Sequence, residues 1–381
     1  MDYLKRAKEL LPEIEEIRQT LHRHPEMGNK EVFTSSFIAS YLEKLGLEVS
    51  RMLETAVVAR LRGNGNKKAV GLRADMDALP VIEETGCAFP SENPGVMHAC
   101  GHDIHMTSAL CAAKLLSENR DKLNGDVVFL FQPDEEGYGG AQRMIEAGAL
   151  EGVSAVFGGH VAPELPLGTV GIRYGKFYAA SDEMKVTVNG VSCHGATPEK
   201  GVSALLAASE IICEISKLTT YTGDRRVVTV GSLHAGTAGN IIPARAEFAG
   251  IIRTLGPENR KATKAKVLSI IHDTAAKYGA TADVHFFSSY DGVVNTDDET
   301  RIMEQTARKL LGDASVCIID KPTMTTEDFG YFIFASSGSF CAIGAGCSEP
   351  LHSSHFLPDT KAAIYAGALY AATAENYLKA I

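Results

Sequence analysis

A chain of 381 residues, 45% hydrophobic and 22% charged, is too long for one ordinary core, and two domains are expected. Its 37 Lys and Arg against 47 Asp and Glu give a net charge of −10 without a dense basic run, which argues against a nucleic-acid partner. No stretch approaches the roughly 18 apolar residues of a membrane span, and the opening MDYLKRAKELLPEIEE lacks the apolar centre of a secretory signal, so a cytoplasmic chain without membrane contact is expected.

From Tyr3 to about Leu45 the spacing of Leu10, Ile14, Ile17 and Leu21 predicts two amphipathic helices, separated by the breaker LHRHPEMG. From Ala69 onward short apolar runs alternate with helical stretches: AVGLRAD, a helix after Asp103, DVVFLF, a helix near Gln142, then SAVFGG. That alternation predicts an α/β domain with a largely parallel sheet flanked by helices, over residues 1–178. The rhythm then changes. MKVTV alternates, a helix follows with Leu205, Ala208, Ile211, Ile212 and Ile215 on one face, then come RVVTVG and ARAEFAGIIR. A helix with Ala262, Ala265, Leu268, Ile271 and Ala275 precedes ADVHFF. Strand, helix, strand, strand, helix, strand is the split βαβ layout of a two-layer sandwich, expected here as an insertion over 179–292. Residues 293–381 return to the first domain with a helix, the strand SFCAIGAG and a long terminal helix.

Acidic and imidazole residues collect just after the predicted strands of the first domain: Asp75 and Asp77, then Asp134, Glu135 and Glu136, then His160, then His352. In open α/β sheets ligands bind beyond the carboxyl ends of the strands, so one site is the economical reading. The segment HACGHDIH packs His98, Cys100, His102, Asp103 and His105 into eight residues before a helix. Cys100 and His102, two apart, suit a grip on one cation, the thiol deprotonating as it binds. The competing reading is a polar helix cap with one buried thiol. Glu135 and Glu136 are costly to bury together unless a cation or a shared proton relieves them, the alternative being an exposed acidic turn in EEGYGGA. In the metal reading one carboxylate is a ligand while its neighbour serves as general base. The eight cysteines show no CxxC pair, which suits reduced thiols. His22, His24, His234, His272 and His285 read as structural, and Met144 and Ile145 as packing residues. GxSxG, HExxH, a Walker loop and GxGxxG are missing, so serine-hydrolase, zincin and nucleotide readings gain no support.

GLRADMDALP, GVMHACGHDIHM, FQPDEEGYGGAQRMIEAG, GHVAPELPLG, CHGATPEKGVSA, GNIIPARAEFAGIIRT and TEDFGYF, in this order, resemble the M20 metallopeptidase family. The closer resemblance is to its amidohydrolase branch of N-acyl-amino-acid amidohydrolases, hippurate hydrolases and auxin-conjugate hydrolases. It implies two divalent metal ions held by Cys100, His102, Glu136, His160 and His352, with Mn²⁺ or Zn²⁺ foremost and Co²⁺ or Ni²⁺ as alternates. It implies Glu135 as general base and Asp77 as the residue that orients a ligand, while Asp75 stands where many relatives have a ligand histidine. The inserted domain is similar to the family's lid and dimerisation domain, which implies a homodimer. His194 matches a histidine that stabilises the oxyanion at the partner's site, and Asn240 and Arg253 match contacts to a substrate carboxylate. On the residues alone, His194 and Arg253 read as well as a capping histidine and a solvated strand end. The last ligand segment is LHSSHF where relatives have LHSP, which leaves His355 as a competitor for His352. LPDTKAA also lacks the acidic pair common after that motif. The implied activity is hydrolysis of N-acyl amino acids, N-acetyl or N-benzoyl, to a carboxylic acid and a free amino acid. A dipeptidase or aminopeptidase on the same scaffold, a cysteine hydrolase using Cys100 and a non-catalytic peptide binder are the alternatives.

Overall fold

Pro12 decides how the N-terminus folds. A proline is tolerated only in the first turn of a helix, so the expected single helix before the breaker is two: α1 (Tyr3–Glu9), capped by Asp2, and α2 (Leu11–Arg23), with Pro12 in its first turn. With α3 (Val32–Lys44) the N-terminus holds three helices rather than two. The structure is a computed structural model that describes residues 1–65 and 67–381.

The elements that follow are β1 (Glu48–Met52), β2 (Ala56–Leu61), β3 (Lys67–Asp75), α4 (His102–Ser117), β4 (Gly125–Gln132), α5 (Ala141–Glu146), β5 (Val153–Ala162), β6 (Val170–Ile172) and β7 (Gly175–Lys176). Then come β8 (Ala180–Asn189), β9 (Cys193–His194), α6 (Ala204–Ser216), β10 (Arg226–Ala235), β11 (Ile241–Ile242), β12 (Arg245–Thr254), α7 (Pro257–Lys277) and β13 (Thr281–Tyr290). The chain ends with β14 (Val294–Asn295), α8 (Asp297–Leu311), β15 (Val316–Ile318), α9 (Gly330–Ala335), β16 (Gly338–Gly344) and α10 (Lys361–Ala380). Two compact units result: Met1–Gly175 with Val294–Lys321 and Asp328–Ile381, and Lys176–Val293 with Pro322–Glu327.

The first unit is built on an eight-stranded sheet in the order β1-β2-β4-β3-β5-β16-β6-β15. Its middle four strands, β4-β3-β5-β16, run parallel. They read as continuous apolar runs because both faces are covered. The β1–β2 and β2–β4 pairs and the β16–β6 pair are antiparallel, so the sheet is mixed at its flanks. Helices α4 and α10 are buried along nearly their whole length, and Gly367 permits their close approach: a Cβ there would sit 2.7 Å from Cys111 Cβ. The parallel strands bring their carboxyl ends to one edge, placing Asp75, the loop after Gln132, and His160 near one another.

The second unit is a four-stranded antiparallel sheet in the order β10-β12-β8-β13, with α6 and α7 supplying the βαββαβ connections. Met184, Val186 and Val188 turn inward as their alternation predicts. The α6 face follows the sequence expectation except at Leu205, whereas the α7 face departs from it at Ala262, Ala265 and Leu268. On α6 Leu205 is exposed while Ala204, Ala207, Ala208, Ile211 and Ile215 are buried. On α7 the packed stripe runs through Thr263, Val267, Ile271 and Thr274, leaving Leu268 exposed. An alanine-rich helix offers two faces of similar hydrophobicity, and packing against the sheet selects one. Among the described residues no helix is long and apolar enough to cross a membrane, and none of the eight cysteines is in a disulfide.

Candidate metal centre

The site begins with backbone geometry. Gly101, with φ 83° and ψ 20°, turns the chain between Cys100 and the first residue of α4, His102. That left-handed turn lets the Cys100 thiol and the His102 ring serve one cluster from opposite sides of a glycine. Cys100 Sγ lies 3.2 Å from His160 Nε2. Ligand atoms of Cys100, His102 and His160 lie within 4.8 Å of one another, as do those of Cys100, Glu136 and His352 and those of His102, Glu135 and Glu136. Shared members link the three groups into one cluster containing all five expected ligands and Glu135.

The ring tautomers are set by the outer contacts. His102 Nδ1 donates to the Asp77 carbonyl at 2.8 Å and His160 Nδ1 to the Val161 carbonyl at 2.8 Å, which leaves both Nε2 atoms facing the cluster. His102 Nε2 is buried with no hydrogen-bond partner among the described residues, although Glu136 Oε1 lies 4.0 Å away. A buried ring nitrogen without a partner is expensive unless a cation takes its lone pair. Donor chemistry agrees: thiol, imidazole and carboxylate groups gathered this closely fit borderline divalent cations. Asp77 supports two members at once, since its Oδ2 accepts from the Glu136 backbone N–H at 2.9 Å.

Electrostatics show the same deficit of positive charge. Burial alone lowers His102, but the Asp75 charge and the Asp77 contact hold it up at about 10. Burial raises Glu136, yet His352 at 3.2 Å and the His102 charge bring it down to about 2. Burial, then Glu136 and Glu135, push the Cys100 thiol well above its ordinary value. Protons on His102 and Cys100 thus stand where the electrostatics call for cations.

His352 takes φ 66° and its backbone N–H binds the Ala99 carbonyl at 2.8 Å, tying the LHSSHF loop to the HACGH segment. His355 turns away, with Nδ1 3.0 Å from Ser354 Oγ and 4.0 Å from Glu84. Asp75 is fully buried and already engaged by Arg73 at 2.7 Å and His105 at 2.6 Å. Asp103 binds Arg18 at 3.1 Å and His22 at 2.8 Å. His98 is buried, with both ring nitrogens unpartnered among the described residues, and burial drops it to about 3. A second mixed cluster, His22, Glu83 and Cys87, differs from the first in that the His22 ring and the Cys87 thiol both bond to Glu83 Oε1.

Three expected residues lie in the second unit. His194 and Asn240 are brought side by side by the β9–β11 pairing and by the bond from the Gly195 N–H to the Asn240 carbonyl at 2.7 Å; both side chains are exposed. His194 Nδ1 accepts from the Ala196 N–H at 3.1 Å, which puts the proton of the neutral ring on the outward Nε2. Arg253 on β12 is half-buried, and its Nη1 lacks a partner among the described residues. Two supporting groups escaped the sequence reading. Arg73 and Asp328 form a buried ion pair beneath Asp75, signalled only by a charged residue inside the apolar run AVGLRAD. Glu31 is fully buried and accepts the Asp134 N–H at 3.1 Å, where Asp134 itself takes φ 59°.

The sequence profile of peptidase family M20/M25/M40 matches residues 71–376. Over 376 residues the chain is 38% identical to thermostable carboxypeptidase 2 of Saccharolobus solfataricus, covering 94% of this chain and 95% of that one. Over 355 residues it is 35% identical to N-acetyl-L-cysteine deacetylase of Bacillus subtilis, with 92% and 84% covered. A dinuclear metal-binding peptidase of the M20 family from Bacillus subtilis matches in structure with a TM-score of 0.90 at 33% identity, over 98% of this chain and 99% of that one. The chain therefore belongs to peptidase family M20/M25/M40.

Proposed function

We propose that this hydrolase of amide bonds removes the acyl group from N-acyl amino acids, with Cys100, His102, Glu136, His160 and His352 holding two divalent cations, manganese or zinc. The observation that carries the reading is the buried, unpartnered His102 Nε2 at the centre of a thiol, imidazole and carboxylate cluster. Bound there, the cations polarise the scissile carbonyl and acidify water. Glu135, in the group with His102 and Glu136, takes the attacking water's proton and delivers it to the departing amine nitrogen. Asp77 fixes the His102 ring and the Glu136 backbone, so neither has to reorganise as charge develops. In the second unit the outward His194 N–H is suited to an oxyanion, as a homodimer would present it, and the unsatisfied Arg253 donor and the exposed Asn240 amide are suited to a substrate carboxylate.

Glu135→Gln is expected to lower turnover by about 10² to 10⁴ while both cations stay bound, a general base being worth that much. Full turnover in a metal-loaded Glu135→Gln protein would refute the mechanism. The similarity to a carboxypeptidase favours one second reading, cleavage of peptides at a free carboxyl end. A panel of N-acetyl and N-benzoyl amino acids beside dipeptides and longer peptides separates the two, because the first reading expects no need for a peptide bond N-terminal to the cleaved amide.

A further inference from the structure

His105 belongs to the HACGHDIH segment but is no ligand in the reading above, and the geometry accounts for it differently. Its Nε2 accepts the Val161 backbone N–H at 3.0 Å. A peptide N–H can only donate, so the ring proton lies on Nδ1, which donates to Asp75 Oδ1 at 2.6 Å. With both nitrogens engaged, the ring has no lone pair left for a cation.

The two ends of that ring join two parts of the site. On one side Asp75 Oδ2 is held by Arg73 at 2.7 Å, and Arg73 by Gln132 at 2.9 Å and Asp328 at 3.0 Å. Asp328 in turn accepts from Gln132 and from the Ala141 N–H at 3.1 Å, so strands β3 and β4 and helix α5 share one buried lattice. On the other side Val161 is gripped twice: its N–H by His105, its carbonyl by His160 Nδ1 at 2.8 Å. The His105 and His160 rings also meet edge to face, centroids 4.6 Å apart.

We propose that His105 is a positioning residue for the metal centre: by anchoring the Val161 peptide to the Asp75–Arg73–Asp328 lattice it aims His160 Nε2 at the cations. The proposal rests on His160 being a ligand. Outer partners of metal-bound histidines are worth roughly 10- to 100-fold in metal affinity, and His105 acts one link further out: it holds the N–H of Val161, the residue whose carbonyl His160 bonds.

The test is stepwise cobalt(II) binding to the metal-stripped full-length protein, read by calorimetry and by the cobalt absorption spectrum. His105→Leu removes both hydrogen bonds and is expected to weaken one cobalt about tenfold and change its spectrum. His105→Gln places an amide N–H donor and a carbonyl acceptor at about the spacing of the two ring nitrogens, and is expected to restore most of both. If His105→Leu does not fold, His105→Asn replaces it, being too short to reach both partners. A folded Leu or Asn variant with wild-type affinities and spectrum overturns the proposal, as does a Gln variant no better than Leu. Wild-type protein that takes up no cobalt would instead sink the metal reading itself.

Discussion

Gly101→Ala tests whether the turn between Cys100 and His102 builds the site. With φ 83° at this position, an alanine costs about 1–2 kcal/mol in the left-handed region. Its Cβ would lie 2.6 Å from Val161 Cγ2 and 3.2 Å from Phe356 Cε1, both residues being buried. Overpacking of that kind costs about 1–3 kcal/mol, so the expected loss is about 2–5 kcal/mol. Urea unfolding of the metal-free protein measures it. Val161→Ala removes the clashing methyl but keeps the peptide N–H. The double variant should therefore show a favourable coupling of about 1–3 kcal/mol, with the backbone cost remaining. Because the strain falls between two ligands, metal affinity should also fall about tenfold or more. Gly101→Ala within about 0.5 kcal/mol of wild type, or a double variant without coupling, would refute the argument.

Burial lifts Glu31 from an ordinary 4.5 to about 7, outweighing its bond from Thr55. A carboxyl raised on folding stabilises below its unfolded pKa and loses that contribution as pH climbs through the folded value, here between about 4.5 and 7. Glu31→Gln removes this loss, so its stability relative to wild type should improve by up to about 3 kcal/mol from pH 4.5 to 8; a pH-independent difference in urea melts would contradict it. His352→Ala should lose one cation or weaken it at least tenfold in metal analysis, whereas His355→Ala, whose ring turns to Ser354 and Glu84, should leave metal content unchanged. Asp182 is fully buried on β8 and accepts from Arg260 at 2.8 Å and Lys264 at 2.8 Å. Asp182→Ala should cost about 1.5–3 kcal/mol in chemical denaturation, and a loss under about 0.5 kcal/mol would show the cluster to be solvent-screened.

Local pattern was enough for much of this protein. Period-two and period-3.6 hydrophobicity gave away the parallel core strands, the βαββαβ insertion and the terminal helix, because each periodicity follows from the backbone repeat itself. The clustering of Cys100 and His102, and of acids after apolar strands, likewise pointed to the residues that the fold gathers into one cluster, since strand ends in an α/β sheet share one edge. Three things depended on the folded chain. The antiparallel strands β1 and β2 escaped because the segment from Glu48 to Leu61 mixes charged and apolar residues that are organised only by pairing, β1 with β2 and β2 with β4. Which face of α7 packs was undetermined, two faces being nearly equal in hydrophobicity until the sheet chose. The split of HACGHDIH into cluster-facing Cys100 and His102 and anchoring His105 was set by hydrogen bonds to Asp77, Asp75 and Val161. A histidine's chemistry depends on which partner each ring nitrogen meets, and those partners lie 25, 30 and 56 residues away along the chain.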